Sequence, residues 1–236
     1  MSGHSHWHTI KFKKGLEDAK KSKVFSKFAR EITIAARDGG GDLTFNPKLR
    51  MTVDKAKAQN MPSDSIDKAI KKGTGELQGE ILEEVLFEAY GPQGIAILIE
   101  GITDNNNRTL TDIKQVLSKN GGKMVEAGAV KWMFEKRGVI NMDFPEKSNE
   151  EAELELIDLG ADEINFLEDG IEVQTSVESL EKTRKSIEEN GYKIKDVSLS
   201  WIAKEEVEAD SEACYKLFEA LDECEDVKEI YSNLKD

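Results

Sequence analysis

The chain has 236 residues, enough for one large domain or two to three small ones, and is 38% hydrophobic and 34% charged. No apolar run approaches the roughly 18 residues of a spanning helix, and the amino terminus lacks the apolar core of a secretory signal. A membrane protein is thereby excluded, and a cytoplasmic one is expected. The formal net charge of −14 argues against a polyanionic partner only until it is divided: residues 1–75 hold 16 Lys and Arg against 8 Asp and Glu, whereas residues 76–236 hold 17 against 39. A cationic head on an anionic body favours an oriented encounter with phosphate.

The opening stretch, MSGHSHWHTIKFKK, contains all three histidines, His4, His6 and His8, around Trp7, followed by Lys11, Lys13 and Lys14. Once Met1 is removed, the amine of Ser2 and the imidazole of His4 could wrap Cu(II) or Ni(II) in a square plane. His4 is therefore a weak metal candidate; zinc would need a fourth ligand that no other histidine or nearby cysteine supplies. The same residues could grip phosphate while Trp7 stacks on a base, or form a plain tail.

Residues 16–37 have helical periodicity. Val24, Phe25, Phe28, Ala29, Ile32, Ala35 and Ala36 share one face, and Lys20, Lys23, Lys27, Arg30 and Arg37 lie opposite. Asn46-Pro47 opens a second helix, and a third follows Pro62 and stops at Gly73, with Lys68, Lys71 and Lys72 along it. Three helices with short connections make a bundle, ended by the glycine-rich linker 73–80. Beyond it, strands are expected at 85–90, 94–100, 129–135, 138–143, 163–168, 170–175, within 192–203 and at 227–232, and helices at 106–119, 149–159, 177–190 and 210–223. Residues 138–203 read β-α-β-β-α-β, the ferredoxin-like order.

The expected fold is therefore multidomain α+β: a basic helical domain (1–76), an α+β domain made of 77–136 and 204–236, and an acidic ferredoxin-like domain (137–203) inserted in it, so that two ferredoxin-like α+β domains follow the bundle. Cys214 and Cys224 lie ten apart in a stretch that reads as helical, about 15 Å apart if one helix covers both, too far for a disulfide. Cys214 reads as apolar filler beside Leu217 and Phe218.

No Walker loop and no GxGxxG after a strand is present, and no spacing singles out a catalytic pair, so no enzyme, cofactor or small-molecule substrate is expected. The stretch Thr103–Thr109 lies between a strand and a helix start. There Asn107, Arg108 and Thr109 could hold an anion, or simply cap the helix. The expected nucleic-acid contacts are Trp7, Lys11, Lys13, Lys14, Lys20, Lys23, Lys27, Arg30, Lys71 and Lys72, acting on phosphate without reading sequence.

Several stretches are distinctive together: Ser2-Gly-His-Ser with Trp7, Ala35-Ala-Arg37 with Gly40-Gly41-Asp42, Asn46-Pro47 with Leu49-Arg50, Asn60-Met-Pro62, Ala69-Ile-Lys-Lys-Gly73, Tyr90-Gly-Pro92 with Gly94, and Thr103-Asp104 with Asn107-Arg-Thr109. Nearly the whole chain resembles the YebC family in these motifs and their order. It departs from the pattern at His6, Phe12 and Asn106, and at Leu43 and Gln93, which replace a proline and a glycine. The resemblance implies a helical domain followed by two α+β domains. It also implies a non-enzymatic regulator, either a DNA-binding transcriptional regulator or, as in relatives that act in translation, a factor that works at the ribosome on ribosomal or transfer RNA. The absence of a dimerisation stripe leans toward RNA, since DNA regulators usually read bases as dimers.

Overall fold

The computed structural model describes residues 18–235, with side chains from residue 21. Among the described residues the first elements are the helices α1 (Asp18–Gly39), α2 (Pro47–Ala58) and α3 (Ser63–Gly73). Ile32, Ala35, Ala36, Leu49, Val53, Ala56, Ile66 and Ala69 form their core, with Phe25, Phe28 and Ala29 packed against it. Asn46 fastens the start of α2. Its Oδ1 accepts the Leu49 amide (3.0 Å), and its Nδ2 donates to the carbonyls of Ala35 and Gly40 (2.8 Å each). Gly73 has to be glycine, because a Cβ there would lie 2.3 Å from the Thr33 carbonyl oxygen.

The chain then forms β1 (Glu83–Tyr90), β2 (Ala96–Thr103), α4 (Asn106–Lys119) and β3 (Lys123–Val125), and returns much later with α7 (Ser211–Asp222) and β8 (Val227–Ser232). The strands make an antiparallel sheet in the order β3-β1-β2-β8, with the β1–β2 hairpin at its centre. One face packs Ile97, Ile99 and Ile230 against Ile113 and Leu117 of α4 and Cys214, Leu217 and Phe218 of α7. Cys214 and Cys224 are both free thiols. The opposite face meets α1 through a cluster of Ile34, Leu82 and Ile102.

The strand expected at 129–135 is not formed. The third strand of this sheet is Lys123–Val125, and 131–133 is a single 3-10 turn. The cause is Glu88, buried on β1, whose carboxylate accepts the amides of Gly128, Val130 and Lys131 at 2.6–2.8 Å and folds the loop around itself. Burial alone would raise the pKa of Glu88, but these three amides outweigh it and hold the carboxyl below its ordinary value. The tight turn between β1 and β2 places Gln93 at φ 55, the left-handed region glycine tolerates best, where the sequence departs from the YebC pattern.

Phe134–Ile202 form a separate compact unit. It contains β4 (Phe134–Met142), α5 (Asn149–Asp158), β5 (Glu163–Phe166), β6 (Ile171–Thr175), α6 (Leu180–Glu189) and most of β7 (Ile194–Ala203). The sheet order is β5-β6-β4-β7, the ferredoxin-like arrangement. Ile140, Met142, Ile171 and Val173 share one face by register. Ala152 and Leu156 of α5 and Leu180 and Ile187 of α6 are likewise buried. The molecule is thus mixed α+β: a helical bundle and two four-stranded antiparallel sheets.

Candidate nucleic-acid interface

The cationic residues expected to meet phosphate fall into three groups. Trp7, Lys11, Lys13 and Lys14, with His4, lie outside the described residues. Lys20 lies on α1, but its side chain is also outside them. For the others, the structure gives definite and different surroundings.

On α1, Lys23, Lys27, Arg30 and Ile34 recur at helical spacing, so one face carries all four. From Lys27 onward that face is largely covered. Lys27, with a side chain 12% exposed, donates to the Asp222 carboxylate (2.9 Å) and to its carbonyl (2.7 Å) at the end of α7. Arg30 binds the Asp226 carboxylate and that of Glu225 (3.0 Å). Lys23 pairs with Glu223 where both side chains are about half exposed, and the hydrogen bond to that carboxylate raises its pKa. The acidic turn Asp222–Asp226 thus lies where polyphosphate was expected to lie along this helix. Lys27 and Arg30 hold the bundle against the first sheet.

Asp226 is the centre of this contact. Its Oδ2 accepts from Arg108 (2.9 Å) and from the Thr109 hydroxyl (2.6 Å), and the Thr103 hydroxyl lies 3.2 Å away. Burial would push the carboxyl up, but Thr109, Arg108 and Arg30 together hold it below the ordinary aspartate value. Gly101 lets the chain approach, since a Cβ there would lie 2.8 Å from the Asp226 carbonyl oxygen. The start of α4 does therefore hold an anion, and the anion is the protein's own. Arg108 is raised by its hydrogen bonds to Asp226 and Asp104. Asn105 performs ordinary capping, accepting the Arg108 amide at 3.2 Å. Asn107 is exposed and its side chain takes no part in the network. Arg30, Asp104, Arg108, Asp112, Cys224 and Asp226 line a cleft of about 580 Å³ here, but carboxylates already occupy its cations.

The remaining lysines differ. Lys68, Lys71 and Lys72 on α3 and Lys57 on α2 are exposed and make no ion pair among the described residues. Their positive charge stays available to a partner. The α2–α3 connection, residues 59–62, is short enough for a helix-turn-helix. However, α3 begins with exposed Asp64 and Asp67 and carries its lysines in the last turns. A recognition helix meets base edges with its amino-terminal residues, so carboxylates at that end suit phosphate contact by the other end better than base reading.

The sequence reading did not single out Phe45. It precedes the Asn46 cap, where an apolar side chain normally packs on the fourth helical residue. That residue is Arg50, which instead reaches the Leu43 carbonyl (3.2 Å), and Phe45 is left 81% exposed. An aromatic before a cap with no apolar partner four residues into the helix was the available signal. No group of three or more His, Cys, Asp or Glu among the described residues could hold a metal ion, and no described helix is long and apolar enough to cross a membrane.

Residues 5–76 match the model of the TACO1/YebC protein N-terminal domain, and residues 82–234 match that of the TACO1/YebC second and third domain. The chain belongs to the TACO1/YebC family. It is 43% identical over 239 residues to a probable transcriptional regulatory protein of Thermotoga maritima, covering all of this chain and 94% of that one. A protein of the same description from Kosmotoga olearia is 45% identical over the same span. The crystal structure of a conserved hypothetical protein from Aquifex aeolicus superposes with a TM-score of 0.83 at 38% identity, covering 92% of this chain and 91% of that one. The first of these matches ends at residue 76 and the second begins at residue 82.

Proposed function

We propose that the protein is a non-enzymatic regulator of gene expression that holds nucleic acid through its helical bundle. The lysines of α3 make the described contacts, and the segment carrying Trp7, Lys11, Lys13, Lys14 and Lys20 adds to them. The supporting observation is the contrast in pairing: Lys68, Lys71 and Lys72 are exposed and without carboxylate partners among the described residues, in a chain where acids outnumber bases. Each phosphate neutralised by such a lysine releases counterions and steepens the salt dependence of binding. Phe45 offers a stacking platform. The relatives' description as probable transcriptional regulatory proteins supports a role in gene expression.

The partner is DNA at regulated genes or, in the second reading, ribosomal RNA on the ribosome. The acidic start of α3 favours the second, because it disfavours base reading in a duplex major groove and leaves backbone contact, by which structured RNA is commonly held. Retention of promoter fragments and co-sedimentation with ribosomes, compared at one moderate salt concentration, test both. Binding to neither, even at low salt, overturns the nucleic-acid reading. Preferential ribosome association that is lost in the Lys71→Glu/Lys72→Glu double variant supports the translation reading.

A further inference from the structure

Helix α5 of the inserted unit combines features that a solvated helix does not need. Five of its ten residues are acidic and none is basic. Its inward positions are Ala152 and Leu156, both fully buried. Leu154 and Ile157 point the other way, 68% and 52% exposed, three residues apart on one face. Glu150, Glu153 and Asp158 border that pair, exposed and without ion partners among the described residues. The helix is well formed before any partner arrives, because Ser148 and Glu151 make a complete capping box. Glu155 has its own role, held by Lys147 and by the Tyr192 hydroxyl (2.7 Å). Asp158 in the last turn opposes the helix dipole, and no basic residue there offsets it.

We propose that this face docks a basic protein segment bearing exposed aliphatic side chains. Charge complementarity identifies the occupant. Between Phe134 and Ile202 the chain has 18 Asp and Glu against 8 Lys and Arg, so nucleic acid is repelled and a cationic surface is attracted. The Leu154–Ile157 pair supplies the apolar centre, and Glu150, Glu153 and Asp158 the polar rim, of a small interface. A cationic partner would also relieve the unfavourable charge at the helix end. This inference does not depend on the nucleic-acid reading, which concerns a different part of the chain.

The test uses the full-length protein and a short synthetic amphipathic helix of lysine and leucine as probe. Binding is followed by the methyl NMR signals of leucine and isoleucine. Shifts confined to Leu154, Ile157 and their neighbours are expected, with at least about tenfold weaker binding to the Leu154→Ser/Ile157→Ser variant. A matched peptide of lysine and serine should bind several-fold more weakly. Both substituted residues are exposed, so the variant should fold, and unchanged circular dichroism checks this. Equal binding to the variant, shifts spread over other acidic surfaces, or sedimentation showing that the face joins two copies of this chain would each overturn the proposal. So would tighter binding of RNA than of the peptide at this helix.

Discussion

Two lysine-bearing helix faces in the bundle carry the same kind of sequence and have opposite surroundings. The face of α1 that carries Lys23, Lys27 and Arg30 lies against the acidic turn Asp222–Asp226. The face of α3 that carries Lys68, Lys71 and Lys72 has no such partner among the described residues. Positive charge at helical spacing thus serves internal docking in one case and remains available for external binding in the other. What decides is the rest of the face. On α1 the stripe runs on to Ile34, fully buried against Leu82 and Ile102. On α3 the lysines are exposed, with exposed Asp64 and Asp67 in the preceding turn.

The largest expected effect breaks the internal contact. Asp226→Ala leaves Arg30, Arg108 and Thr109 without their shared carboxylate, and should lower stability by about 3 kcal/mol, read as a reduced urea midpoint. Next, Lys71→Glu/Lys72→Glu should weaken nucleic-acid binding about tenfold or more near 0.1 M salt while leaving the urea midpoint unchanged, since both side chains are exposed. Acid should separate the two faces as well. Glu88 and Asp226 both have carboxyl groups held below their ordinary values of 4.5 and 3.8. Their contribution is complete above those values and is lost as pH falls through the lower folded ones. Stability should therefore hold from neutral pH to about pH 5 and decline below about pH 4.5. Asp226→Asn should be less stable at neutral pH and show a flatter decline. The smallest effect belongs to the exposed Lys23–Glu223 pair. Glu223→Gln should change stability by no more than about 0.5 kcal/mol and nucleic-acid affinity by less than about twofold.

Much of the architecture was legible because local signals agreed. The Asn46-Pro47 cap, the stop at Gly73, the successive strands near 163–168 and 170–175 and the β-α-β-β-α-β order of the inserted unit each follow from short-range chemistry. The missed strand at 129–135 failed because an apolar run was captured by one buried carboxylate forty residues earlier in the chain. The role of the α1 stripe was hidden for the same reason. Its partners lie near residue 225, and only the misplaced Ile34 on an otherwise cationic face hinted that something covers it. In the Thr103–Thr109 stretch, Arg108 and Thr109 are taken up by the carboxylate of Asp226, which is remote in sequence. Phe45 escaped notice because an aromatic beside a helix cap usually packs inward.

The central claim is that α3, and not the covered face of α1, meets phosphate. It is tested most directly by the slope of log affinity against log salt for one RNA or DNA probe, measured on the unaltered protein, Lys23→Ala and Lys71→Ala/Lys72→Ala. Loss of two phosphate contacts should reduce the slope by nearly two in the α3 variant, and Lys23→Ala should leave it unchanged. An unchanged slope in the α3 variant with a reduced one in Lys23→Ala would contradict the account.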